Sequence, residues 1–232
     1  LREGFARQNM EANLRFLTPK TRLADGLKAN DRVIQIATPA QISALYNRYY
    51  RPENAQLVIA GDFDPADMEA KVKARFGDWR GTGKGGPKAN VGPVDFARKS
   101  DSGVFVHPAV AENFSMVTLA PYALESQSLA EVRKRTLVAF GDMILGRRFG
   151  RIAQQPDTPI LGAGTASRNG LYEMAFRNVL SVTAKDGRLK EAVAVGEQEY
   201  RRALEHGFTE AELKEVLANT ETALRVARDT AS

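Results

Sequence analysis

The chain has no cysteine. That excludes disulfides, thiolate zinc sites and cysteine nucleophiles together. It leaves the compartment open, because a cysteine-free protein works in the cytoplasm or in a bacterial periplasm. Histidine is scarce too: His107 and His206 are the only two, far apart in sequence. No window approaches the ~20 apolar residues of a membrane span, so no span is expected. No signal-peptide pattern opens the chain. It does not begin with methionine, so "LREGFARQN" reads as the interior of a longer protein. There is no G-x-S-x-G, which removes the strand-turn-helix elbow of a serine hydrolase. The formal charge is +5. Aromatic residues do not interleave with the basic clusters Arg133-Lys134-Arg135 and Arg147, Arg148, Arg151, so nucleic acid is not an expected partner.

Apolar residues make up 43% of the 232 positions, enough to bury a core in one large domain or two modest ones. Helix starts are well marked. In "ATPAQISALYNRYY", Thr38 is a good N-cap, Pro39 fits the first helical position and Gln41 completes a capping box. Arg51-Pro52 ends that helix, because a residue before proline disfavours the helical region. Leu57 to Ala60 is a continuous apolar run and reads as a fully buried strand. Asp64-Pro65 then caps and opens a second helix with Met68, Val72 and Phe76 inward. Ser128 to Glu131 and Thr209 to Glu212 are further capping boxes. The first opens a long helix through Leu145. Asp186 is the expected cap of another helix, which Gly207 ends.

Residues 81–93 hold five glycines and two prolines, a composition that behaves as a flexible linker. Beyond it, "SGVFVHPAV" and "NFSMVTLAPY" read as strands. In "ILGAGTASRNGLYEMAFRNVLSVTA", Asn169-Gly170 marks a hairpin turn. The expected fold class is α+β, a mixed or antiparallel sheet flanked by helices.

Two stretches carry a resemblance. "ATPAQISALYNRYYRPENAQLVIAGDFDPADMEAKVKARFGDW" resembles a segment of the pitrilysin/insulinase-type zinc metallopeptidases, through Thr38, Tyr50, Pro52, Asn54, Gly61, Asp62, Phe76, Gly77 and Trp79. "LEHGFTEAELKEVLANTETAL" resembles the late helix start of the same family, at Gly207, Phe208, Thr209, Glu212 and Leu213. The family's Leu-Gly-x-x-x-x-Ser-Arg-Leu stretch has its counterpart in "GDMILGRRFGRI", where Gly150, Arg151 and Ile152 replace Ser-Arg-Leu. The resemblance runs from about residue 10 to about residue 228.

It implies α+β lobes around a cleft, with zinc held in the first lobe by an inverted H-x-x-E-H motif and a downstream glutamate. This chain has no such motif. The resemblance therefore makes residues 1–80 the tail of a first, catalytic-type lobe, 81–95 a linker, and 96–232 a second, non-catalytic lobe that stops before its closing strand. No cofactor is expected in this chain; zinc is expected in the parent, acting through a metal-activated water. The expected partners are a peptide or unfolded protein substrate and the first lobe of the same parent. The alternative is a non-catalytic scaffold subunit that pairs with an active peptidase of the same family. A third class, a nucleotide-binding α/β domain built on strand 57–60, has only Gly61 for a phosphate loop, where several glycines are wanted.

Neither metal nor catalytic residues are assigned. Asp62 and Asp64 supply too few oxygens for a cation, and Asp64 reads as a helix cap. His107 precedes Pro108 at a strand end, and His206 suits a helix C-terminus. Arg147, Arg148 and Arg151 are the candidate substrate-binding residues, able to hold peptide carboxylates or carbonyls. The same three cations at a helix end also suit its dipole. The isolated chain is expected to form a homodimer through residues 40–79, because a strand apolar on both faces invites another chain when its sheet is missing.

Overall fold

The computed structural model describes residues 4–87, 90–123 and 127–230. It is a mixture of helices and one antiparallel sheet, and it divides into two compact units. One comprises residues 17–93; the other joins residues 1–16 to 94–232.

In the larger unit, helix α1 (Phe5–Leu17) lies against the segment that follows the glycine-rich stretch. The Arg98 guanidinium sits 4.6 Å from the centre of the Phe16 ring, and Phe5 packs on His107 with ring centres 5.4 Å apart. The sheet has three strands, β1 (Asn113–Pro121), β2 (Ile160–Leu171) and β3 (Ala175–Ala184), in the order β1-β3-β2. Helices α5 (Leu129–Ala153), α6 (Leu189–His206) and α7 (Glu210–Thr230) complete the unit. Alternate residues of β3 point one way, as a strand requires. Leu180, Val182 and Ala184 thereby meet Leu145 and Phe149 of α5, Ile160 of β2 and Ala192 of α6 in the core. Gly196 lets α6 approach β3 closely, since a Cβ there would lie 2.5 Å from Val182 Cγ2.

The smaller unit holds α2 (Arg22–Ile36), α3 (Pro39–Tyr49), a single 3-10 turn at Pro52–Asn54 and α4 (Pro65–Phe76). The Thr38–Gln41 capping box forms as expected, and Asp64 accepts from the Asp67 N–H at 2.9 Å. Ser128 and Thr209 cap α5 and α7 in the same way.

Several expectations are corrected. Residues 57–60 are neither helix nor strand and join no sheet among the described residues, and Leu57, Val58 and Ile59 are exposed at 56%, 77% and 41%. Among the described residues no neighbouring strand takes their N–H and C=O groups, so the run is neither paired nor buried. Residues 102–110 likewise form no strand: the Phe105 and His107 rings lie side by side, 6.3 Å apart, and Val104 and Val106 are exposed, but the segment pairs with no strand among the described residues. The hairpin turn lies at Tyr172-Glu173, not at Asn169-Gly170. Both turn residues have positive φ, 48° and 57°, and Leu171 O accepts from Met174 N at 2.9 Å. A register shift between Ala166 and Asn169 carries Gly170 into the ladder opposite Phe176. Asp186 does not cap α6. A turn with Gly187 at φ 74° intervenes, and Arg188 occupies the N-cap position. Helix α5 continues past Leu145 to Ala153, because Phe149 and Ile152 extend its inward stripe.

Candidate functional site

The longer α5 places the three candidate arginines on its final turns. Arg147 and Arg151 are four residues apart, so they share a face, and both reach Glu215 of α7. Arg147 Nη1 lies 2.6 Å from Glu215 Oε1, a close ion contact without hydrogen-bond alignment, and Arg151 Nη2 donates to Glu215 Oε2 at 3.2 Å. Arg148 turns inward and is buried. Its Nε donates to Glu212 Oε1 at 2.6 Å and its Nη2 to Glu212 Oε2 at 2.8 Å, a two-pronged bond that holds the carboxylate in plane. Nη2 also donates to Gly207 O at 3.1 Å and Nη1 to Glu199 Oε1 at 3.3 Å. The Phe208 ring lies under the guanidinium at 5.0 Å. Arg148 is thus committed to α6, to the α6–α7 junction and to α7 at once.

The electrostatics follow. The Arg148 hydrogen bonds hold the Glu212 carboxyl down to about 2, with help from the Thr209 N–H and hydroxyl. Glu212 in turn raises Arg148 above the ordinary guanidinium value. A groove of about 500 Å³ opens beside the clamp, lined by Arg151, Arg202, His206, Thr209, Ala211 and Glu215 among others.

The other candidate positions do not converge. His206 is the last residue of α6 and lines that groove. His107 accepts at Nδ1 from the Ala109 N–H at 3.1 Å and sits in the other part of the unit against Phe5 and Phe105. Among the described residues no three or more His, Cys, Asp or Glu side chains come together as metal ligands. No helix of the described residues is long and apolar enough to cross a membrane.

Two polar hubs were not foreseen. Asp142 of α5 accepts from Thr165 Oγ1 at 2.6 Å, Ser167 N at 3.0 Å and Ser167 Oγ at 3.1 Å, which ties α5 to the irregular part of β2. Arg51, buried in the smaller unit, donates to Asn47 O, Thr82 O and Gly83 O at 3.2, 2.9 and 3.1 Å. A Cβ on Gly81 would lie 2.4 Å from the Arg51 Cζ, so this glycine allows the strap to cross the guanidinium. Arg51 carried no signal beyond its place before Pro52. Glu212 was visible as the acidic member of a capping box and as part of the family's late helix start, with no sign of its bond to Arg148.

Residues 37–220 match the family described as Peptidase M16 inactive domain. The chain belongs to that family. The pitrilysin/insulinase resemblance read from Thr38 to Trp79 and from Gly207 to Leu213 is the same family, and α5, the sheet and most of α7 lie inside the match. A search of curated proteins returned no match.

Solved structures share the fold of this inactive domain. The first half of the periplasmic protease PqqL from Escherichia coli is similar over 98% of this chain and 48% of its own, with a TM-score of 0.64 and 19% identity. A predicted insulinase family protease from Yersinia pestis is similar over 84% of this chain and 42% of its own, with a TM-score of 0.63 and 15% identity. A variant of the ferredoxin protease FusC, in complex with Arabidopsis ferredoxin, is similar over 94% of this chain and 24% of its own, with a TM-score of 0.60 and 16% identity. The chain spans less than half the length of each of these.

Proposed function

We propose that this inactive domain is the non-catalytic lobe of a zinc-dependent endopeptidase and forms part of the wall of a peptide-binding chamber. One observation carries the reading: the match over residues 37–220 to a domain described as inactive within a peptidase family. In the family resemblance the zinc ligands belong to a first lobe, so the metal is assigned to the parent and not to this chain. The substrate is a peptide or an unfolded protein segment.

The smaller unit supports a partner for this lobe. Among its described residues the buried side chains are Thr18, Thr21, Ala24 and Arg51, too few to make a core. Ile42, Leu45 and Tyr46 of α3, the run Leu57–Ile59 and Phe76 of α4 are exposed. A run that is apolar on both faces is the pattern of an inner strand. The rest of the parent's first lobe, whose tail the resemblance places in residues 1–80, is the occupant of this surface. In the isolated chain a second copy takes its place, giving a homodimer through residues 40–79.

Of the three arginines, Arg147 and Arg151 suit a substrate carboxylate, because each is held by the single surface partner Glu215 and can exchange it. A labelled unstructured peptide titrated with the chain and followed by fluorescence anisotropy tests the chamber-wall reading. Saturable binding that weakens in Arg147→Ala/Arg151→Ala is expected. A flat titration up to millimolar chain contradicts it.

A further inference from the structure

The attachment of α7 to the rest of its unit is unusual for a helix of this length. Val216 is the one buried side chain among its described residues. Leu217, Leu224 and Val226 are exposed, and every residue from 221 to 230 is exposed. Three ion pairs reach α7 from α5: Arg148 to Glu212, and Arg147 and Arg151 to Glu215. Amphipathic helices normally dock through an apolar stripe, so the usual source of orientation is weak here.

The junction itself is built to bend. Gly207 has φ 68° and ψ −146°, a region open to glycine and costly for other residues. A Cβ there would meet nothing within 4 Å, so the space around it is free. Phe208 follows, its ring between the Arg148 guanidinium and Gly141 of α5, where a Cβ would lie 3.3 Å from Phe208 Cε2. Arg148 is the part that spans this bend. It bonds Glu199 before it, Gly207 O within it and Glu212 after it.

We infer that Arg148 is a latch that sets the angle of α7, and that α7 turns about Gly207–Phe208 when the latch is released. The device is independent of the peptidase reading and needs no ligand. Because Glu212 is held by both arginine prongs, a cation without the fork does not replace it: lysine offers a point charge and cannot make the paired bonds. Release also withdraws Phe208 from Gly141, so the groove beside His206 and Thr209 widens as the helix swings.

The natural absence of cysteine makes the test direct. Spin labels on Arg133→Cys and Ala227→Cys, both at exposed positions of α5 and α7, report the distance between the two helices. The otherwise natural chain is expected to give one narrow distance distribution. Glu212→Gln and Arg148→Lys are expected to add a second population at a different distance, or a broad one, with the docked-to-undocked ratio falling roughly 10- to 100-fold. The far-ultraviolet circular dichroism stays unchanged, since the helix pivots without melting. Glu215→Gln, which touches only the surface pair, is expected to leave the distribution narrow. An unchanged narrow distribution in Glu212→Gln overturns the latch. So does a loss of helical signal in Glu212→Gln and Arg148→Lys alike, which makes the clamp a general stability element.

Discussion

Replacing Gly196 with alanine sets two known effects against each other inside one well-defined contact. In an exposed helix interior, Gly→Ala stabilises by about 1 kcal/mol, because glycine loses more backbone freedom on folding. At Gly196 the new methyl would lie 2.5 Å from Val182 Cγ2, and Val182 is among the most deeply buried side chains. Carbon atoms prefer about 3.5–4.0 Å, so the two must separate by about 1 Å. Val182 cannot rotate away cheaply, since a β-branched side chain has one strongly favoured χ1. Helix α6 must then lift from β3, and overpacking of this kind costs about 1–3 kcal/mol. The net expectation for Gly196→Ala is a loss of about 0–2 kcal/mol, read from the midpoint of urea unfolding. A second variant makes the reasoning sharper. Val182→Ala alone leaves a cavity and destabilises by about 2 kcal/mol. In the double variant the alanine at 196 occupies part of that cavity. Its cost is therefore expected to fall short of the sum of the single changes by about 1 kcal/mol or more, the non-additivity of touching residues. If Gly196→Ala instead stabilises the protein by about 1 kcal/mol, as on an exposed helix face, the close approach of α6 and β3 is refuted.

The Glu212 carboxyl, held at about 2 in the folded protein against an ordinary value of 4.5, contributes stability that is fully present above about pH 4.5 and is lost as pH falls through about 2. With its side chain only partly shielded, the contribution is no more than about 3 kcal/mol. Glu212→Gln is therefore expected to show a shallower loss of urea stability between pH 5 and 2 than the natural chain; identical slopes contradict the Arg148 pairing. Asp142→Ala leaves the Ser167 N–H and two hydroxyls without their acceptor. A loss of about 1–3 kcal/mol is expected, and a change below about 0.3 kcal/mol means that water replaces the carboxylate at no cost. Val58→Lys places a charge on the exposed run 57–59; light scattering across a dilution series should show the proposed dimer for the natural chain and a monomer for this variant, and a monomeric natural chain or an intact variant dimer contradicts the proposed contact.

Local chemistry was the legible part of the sequence. Thr38, Asp64, Ser128 and Thr209 cap their helices because a cap needs only its own next three residues. The order of helices around an antiparallel hairpin was readable for the same reason. The misread elements are those decided by neighbours distant in sequence. Leu57–Ala60 has the composition of an inner strand, but a strand exists only when its partners do. Asn169-Gly170 has the better turn chemistry, yet the turn sits three residues later, where the bulge before Asn169 directs it. Arg148 looked like its neighbours Arg147 and Arg151 in a basic cluster. Its burial depends on Glu199 and Glu212, which lie on two later helices. Arg51 and Asp142 were silent for the same reason, since their acceptors and donors come from elsewhere in the chain.

Metal content and turnover of the purified chain test the central claim, that this lobe is non-catalytic, most directly. After dialysis against micromolar zinc, elemental analysis is expected to find well below one zinc per chain. An unstructured fluorogenic peptide incubated with the same sample is expected to remain intact. A structural or catalytic zinc site needs three or four correctly placed ligands, and the described residues bring no such group together. One tightly held zinc per chain, together with peptide cleavage that a chelator abolishes, would contradict the account.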